Sequence, residues 1–184
     1  PAYGAKGDGS ANDTAALQRA VDAVAGTGGT VIVPDGTYLV NPTAQNNAGV
    51  RLKSRMTMRL SSGAVLKAIP SASGTYAILA VHDASNVTII GGTLLGERGA
   101  HLGSSGEWGM GLSIANSQHV VVEGLTAKEC WGDGFYVTAA SSDITLCNVV
   151  ADHNRRQGLS IVSVDGMAVL EAARSGANVR YVLR

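Results

Sequence analysis

The chain has 184 residues, 45% of them hydrophobic, which is enough for one domain with a core that needs no disulfide staples. Its 14 Lys and Arg balance its 14 Asp and Glu, so no bulk charge points to nucleic acid. No apolar run approaches the roughly 20 residues that span a bilayer. With 24 glycines and abundant Ser, Thr, Asn and Val, the chain favours many short strands joined by tight turns. No signal peptide is visible, and Pro1 reads as an internal start, which leaves room for a removed leader. Cys130 and Cys147 lack metal-site spacing and are read as buried thiols.

The first element is a helix within NDTAALQRAVDAVAGTGG (residues 12–29). Ala16, Leu17, Ala20, Val21 and Val24 fall on one helical face. Asn12 or Asp13 caps its start, and Gly26, Gly28 and Gly29 end it. Ahead of it, GAKGDG (residues 4–9) follows no strand of a βαβ unit, which argues against a dinucleotide loop. Asp8, Ser10 and Asn12 mimic the start of a calcium loop, but Asp13 occupies the place of its glycine and Arg19 that of its closing Glu. After the helix, TVIVP (30–34) and GTYLV (36–40) read as strands separated by the Asp35-Gly36 turn. In RLKSRMTMRL (51–60), Arg51, Lys53, Arg55 and Arg59 are expected to share one strand face as a positive stripe.

Further on, the chain repeats. WGMGLSI (108–114), WGDGFYV (131–137) and RRQGLSI (155–161) align on Gly111, Gly134 and Gly158, about 23 residues apart. A second strand follows each segment: HVVVEGL, DITLCNVV and MAVLEA. Stacked coils of parallel strands, spaced about 4.8 Å, fit this period. A leucine-rich repeat lacks its Leu and Asn signature here, and an antiparallel sandwich has no reason for coil-to-coil register. The expected fold is an all-β solenoid, a right-handed parallel β-helix with an N-terminal capping helix. It forms a single domain, with the cap in residues 1–30, coils in 31–170 and an atypical tail in 171–184. That tail reads as a short capping helix, a truncation or a reading-frame change, and the sequence does not choose between them.

Residues 3–40, YGAKGDGSANDTAALQRAVDAVAGTGGTVIVPDGTYLV, resemble the opening of the pectate-lyase-like β-helix superfamily. That group includes polysaccharide lyases, family 28-type glycoside hydrolases, alginate epimerases and phage tailspikes. GEWGMGLSI, CWGDGFYV and NRRQGLSI resemble coils of the members related to family 28 hydrolases. The resemblance implies a helix over the end of the coil and a polysaccharide ligand. Two departures matter. Gly134-Phe135 is followed by YVTA rather than the epimerase Asp-Pro-His-Glu stretch, and Asp133 stands alone where polygalacturonases pair aspartates.

The repeat alignment stacks Asp133 between Met110 and Gln157, and Trp131 between Trp108 and Arg155. Asp133 and Glu107 are the catalytic acid/base candidates. Their backbones are expected roughly 11 Å apart, so converging side chains approach the ~6.5–9.5 Å of an inverting carboxylate pair. His153, if neutral, is a candidate base. Trp108, Trp131 and Tyr136 are candidate sugar platforms, and Arg155 and Arg156 candidate carboxylate grips. Each has a structural alternative: Asp133 as a turn residue, the tryptophans as coil-edge packing, Glu107 as a solvated carboxylate. Asp152 is expected to stack on Lys128 as a structural pair, and His82, His101 and His119 lack zinc-ligand spacing.

These readings describe a secreted or cell-surface, microbial-type protein that binds and cleaves an acidic polysaccharide, by family 28-like hydrolysis or by a lyase's β-elimination. The alternative is a non-catalytic binding module, tailspike-like, or an inactive fragment of a longer enzyme. No cofactor is expected. Calcium serves some pectate-lyase relatives, but no carboxylate cluster is present to hold it. A monomer or trimer, without nucleic acid or membrane partners, completes the expectation.

Overall fold

The inward-facing ladders determine the architecture. In the computed structural model of the chain, which describes residues 2–169 and 172–175, strands of successive coils pair in parallel and in register. The chain begins with β1 (Asp8–Asn12) and helix α1 (Thr14–Val24). The first coil is β2 (Thr30–Val33), β3 (Gly36–Val40) and β4 (Ala48–Leu52). The second is β5 (Met56–Leu60), β6 (Ala64–Ala68) and β7 (Thr75–His82). The third is β8 (Ser85–Ile90), β9 (Thr93–Leu95) and β10 (Trp108–Ala115). The fourth is β11 (Gln118–Glu123), β12 (Thr126–Lys128) and β13 (Phe135–Thr138). The fifth is β14 (Ser141–Cys147), β15 (Val149–Asp152) and β16 (Leu159–Ile161). Finally come β17 (Val164–Val169) and β18 (Ala172–Ser175).

Three sheets result, of seven, five and six strands, each taking every third strand of the coils. The sequence reading supplied two strands per repeat where the structure has three. The missed strand is often only three residues long, as in β9 and β12, too short to carry a visible alternation. The parallel β-helix with an N-terminal helical cap is as expected.

The register follows from the side chains. Val50, Leu79, Leu112, Phe135 and Leu159 stack in one inward row, and Leu52, Val81, Ile114, Val137 and Ile161 in the next. All ten are at most 4% exposed, so each contributes about 1.5–3 kcal/mol of burial. A slip of one residue would turn both rows outward, which fixes the alignment of every coil above and below.

The helix buries Ala16, Leu17, Ala20 and Val21 on the first coil. Its Gln18 side chain then acts as a substitute strand. Gln18 Nε2 donates to the Arg51 carbonyl at 3.1 Å, and the Arg51 amide donates to Gln18 Oε1 at 2.9 Å. This closes the exposed edge of β4, a liability in any open sheet. Of the two residues expected to cap the helix, Asp13 holds the N-cap position without a side-chain bond to the helix, and Asn12 just ahead of it accepts the Thr14 amide at 3.1 Å. Asp13 instead ties down the preceding loop, taking the Lys6 and Gly7 amides at 2.7 and 2.9 Å.

Three expectations are corrected. The basic residues of 51–60 do not share one strand: Arg51 lies on β4 and Arg59 on β5, in different sheets, and Arg55 occupies the left-handed corner between them at φ 55°. Arg51 and Lys53 are paired with Asp83 and Asp22, at 2.7 and 2.8 Å. Cys147 is half-buried rather than buried, while Cys130 is fully buried and its thiol is pushed well up, chiefly by burial. Ala172–Ser175, assigned by sequence to the tail, pair in register with Val149–Asp152 as one more strand. The rest of that tail lies outside the described residues.

Candidate functional site

The five-stranded sheet carries the polar face. Met110, at the start of β10, and Asp133 and Gln157, just ahead of β13 and β16, precede the aligned glycines and come together at one end of this sheet. Gly111 N donates to the Asp133 carbonyl and Gly134 N to the Gln157 carbonyl, both at 3.0 Å, so Met110, Asp133 and Gln157 stack as the sequence implied.

Asp133 is wholly buried. Its Oδ1 accepts the Gln157 amide at 3.0 Å, while Oδ2 has no hydrogen-bond partner among the described residues. Burial is the main cause that pushes its carboxyl above the ordinary range. The Gln157 amide, the Ser160 hydroxyl and the Arg156 guanidinium pull the other way, and Glu107 adds to the rise.

Arg156 links the two candidate carboxylates. Its Nε lies 3.8 Å from Asp133 Oδ1 and 3.8 Å from Glu107 Oε2, so these two oxygens are no more than twice that distance apart. At 3.8 Å both contacts are ion pairs rather than hydrogen bonds, and Arg156 Nη1 is buried without a hydrogen-bond partner among the described residues. Glu107 is about half exposed.

The expected column of rings and cations divides in two. Arg156 sits 4.5 Å from the Trp108 ring centre and Arg155 3.8 Å from that of Trp131. Trp108 also meets Tyr136 edge-on at 5.8 Å. Trp108, Tyr136, Tyr76, His82, Met110 and Ser113 line a groove of about 180 Å³ along the sheet's outer face. Trp131 is half-buried, and a second planar group covers it. The His101 ring stacks at 3.8 Å with an interplanar angle of 12°.

His153 is not brought into this group. Its Nδ1 bonds to Asp152 at 2.5 Å and its carbonyl accepts Arg98 Nη1 at 2.6 Å, beside the seven-stranded sheet. Asp152 aligns with Lys128, as expected. His101, set aside by sequence for want of ligand spacing, belongs to a buried cluster with Tyr76 and Glu97 that no spacing signal could reveal. Among the described residues, no group of three or more His, Cys, Asp or Glu side chains is placed to hold a metal ion. No helix among them is long and apolar enough to cross a membrane.

Comparison with known proteins fits this architecture. Residues 2–80 match the family model described as rhamnogalacturonase A/epimerase, pectate lyase-like. The chain is 27% identical over 92% of its length to the uncharacterized protein YclG of Bacillus subtilis, and covers 33% of that protein. It is 29% identical over 85% of its length to mannuronan C5-epimerase AlgE1 of Azotobacter vinelandii, covering 12% of it. The chain thus spans a third or less of these curated relatives. A crystal structure from Parabacteroides merdae, which carries a provisional glycosyl hydrolase name, superposes with a TM-score of 0.80 at 24% identity. It covers 98% of this chain and 86% of that one. By its fold the chain is a parallel β-helix protein, and its first 80 residues are similar to the pectate-lyase-like family model.

Proposed function

We propose that the chain is a carbohydrate-active β-helix that binds an acidic polysaccharide over the five-stranded sheet and hydrolyses it, with Asp133 as proton donor and Glu107 as base. The single observation carrying this reading is the shared Arg156 between a buried carboxyl whose pKa burial raises and an exposed carboxylate. Environments that differ in this way divide acid from base. Asp133 gives its proton to the leaving glycosidic oxygen as that bond to the anomeric carbon breaks. Glu107 takes a proton from the water whose oxygen bonds to the same carbon. Arg156 is the grip for a sugar carboxylate, whose arrival draws the guanidinium away and uncovers Asp133. Trp108, Tyr136 and the edge of Trp131 form the sugar-facing wall, with Arg155 as a second cation. A polymer of this kind cannot cross a membrane, so the protein works outside the cell or at its surface.

One observation favours the non-catalytic reading: Asp133 is fully covered and already serves the Gln157 amide, the work of a structural aspartate. Incubation with a panel of acidic and neutral polysaccharides decides between them. Reducing ends formed without an unsaturated-uronate absorbance, and lost in both Asp133→Asn and Glu107→Gln, are expected. An absorbance gain identifies a lyase instead. Binding without any product establishes the binding module.

A further inference from the structure

Behind Trp131 lies a polar cluster that the proposed chemistry does not use. Tyr76 and Glu97 are 3% and 4% exposed, and the His101 side chain 1%. The Tyr76 hydroxyl donates to Glu97 Oε1, and His101 Nδ1 bonds to the same oxygen at 2.8 Å. Glu97 Oε2 and His101 Nε2 are buried with no hydrogen-bond partner among the described residues. Each such orphan leaves a desolvation cost that nothing offsets, so as mere filler the cluster is worse than apolar residues of its size.

The backbone makes room for it at two glycines. A Cβ on Gly109 would stand 2.5 Å from Tyr76 Cζ and 2.9 Å from Trp131 Cβ. A Cβ on Gly96 would stand 2.4 Å from the Cys130 Cα. The phenol therefore passes directly beside Trp131 to reach Glu97, and the chain entering Glu97 lies against Cys130. Residues 96–107 then wrap the indole. His101 stacks on it, and the Gly106 carbonyl accepts Trp131 Nε1 at 3.1 Å and Arg155 Nη1 at 2.9 Å. Tyr76 also lines the groove, so one side chain touches both the cluster and the sugar-facing wall.

We infer that Tyr76, Glu97 and His101 form a buried positioning cluster that sets the plane of Trp131 and holds the 96–107 connection, including Glu107, against the groove. Its importance for binding rests on the reading of Trp131 as part of the sugar-facing wall; its effect on Trp131 does not. The Tyr76 phenol is held protonated, by burial first and by its bond to Glu97 second, which suits a permanent donor. Glu97 is the hub because it joins a strand of the second coil, through Tyr76, to a loop of the third, through His101. The imidazole then carries that fixed geometry to the indole.

The test uses the Trp108→Phe chain, in which Trp131 is the remaining tryptophan of the two. Acrylamide quenching of its emission is measured for that chain and for added Tyr76→Phe, Glu97→Gln, His101→Gln and His101→Phe. Thermal melts confirm that each variant is folded. Quenching is expected to rise severalfold in His101→Gln, to rise partly in Tyr76→Phe and Glu97→Gln, and to return toward the parent in His101→Phe, whose ring restores the stack. Unchanged quenching throughout overturns the inference, as does a rise confined to His101→Gln, which would mean a stack without a network. In the Trp108-containing chain, the same substitutions are expected to weaken polysaccharide binding about tenfold, raising KM more than they lower kcat. Polysaccharide binding unchanged in folded variants that do expose Trp131 overturns the positioning role. If the parent chain binds no polysaccharide at all, the proposed function falls, while the quenching series still decides the cluster.

Discussion

The guanidinium of Arg156 lies over the Trp108 ring, 4.5 Å from its centre, while its Nε faces Asp133 Oδ1 at 3.8 Å. One side chain thus covers a ring, pairs with a buried carboxyl and is close enough to the surface to be displaced. Arg156 pulls the Asp133 carboxyl down against the stronger upward push of burial. Arg156→Ala removes that pull, so Asp133 keeps its proton to higher pH. If Asp133 is the proton donor, the alkaline limb of kcat/KM moves to higher pH in the variant while the rate falls for want of the carboxylate grip. A pH–rate profile on the best substrate of the panel checks this, and an unmoved limb removes Asp133 from the donor role.

Asp133 also gives stability a pH dependence of known sign. Its folded pKa is raised, so the folded chain binds this proton more tightly than the unfolded chain. The contribution is complete below the ordinary carboxylate value and declines as pH rises through the folded value. Asp133→Asn keeps an oxygen for the Gln157 amide and has nothing to ionise. Its melting temperature is expected to equal or exceed the parent's at neutral pH, with the difference closing in acid. A variant less stable at every pH would contradict this.

The helix cap is open to a direct test at Gln18. Gln18→Ala leaves the Arg51 amide and carbonyl without their partners on the edge of β4, at a cost of about 1–3 kcal/mol. A melting temperature lower by several degrees is expected, together with concentration-dependent association through the bared edge, visible by light scattering.

Phe135 occupies the middle of an inward ladder at 1% exposure. Phe135→Ala is expected to cost about 3–5 kcal/mol in urea unfolding, against about half a kcal/mol or less for Val121→Ala on the outer face of the neighbouring sheet.

What could be read from the sequence followed the repeat. Gly111, Gly134 and Gly158 recur at the coil period, so the stacking of Met110, Asp133 and Gln157 was legible, and Glu107 could be placed near Asp133 by counting strand and coil spacings. The Tyr76, Glu97 and His101 cluster was not legible. Glu97 and His101 sit in a connection longer than its counterparts in the adjoining coils, and only the path of that loop brings them to a tyrosine of another coil. The division of labour between the two arginines was half visible. Their adjacency forbade a common direction, but which ring each would cover depends on side-chain placement that no period encodes. His153 lies apart from the site for a related reason, since being near Arg155 in sequence says little once a coil turns a corner.

The connection from Leu95 to Trp108 is longer than its counterparts at residues 69–74 and 129–134, yet the strands on either side keep the common register. The ladders, not the loops, carry the alignment of the coils. This corner therefore behaves as an exchangeable cassette: its length and content can change the wall around Trp131 without the scaffold having to refold. Grafting a different segment between His101 and Gly106, which leaves Glu97, His101 and Glu107 in place, is accordingly the direct route to a new ligand preference on an unaltered coil.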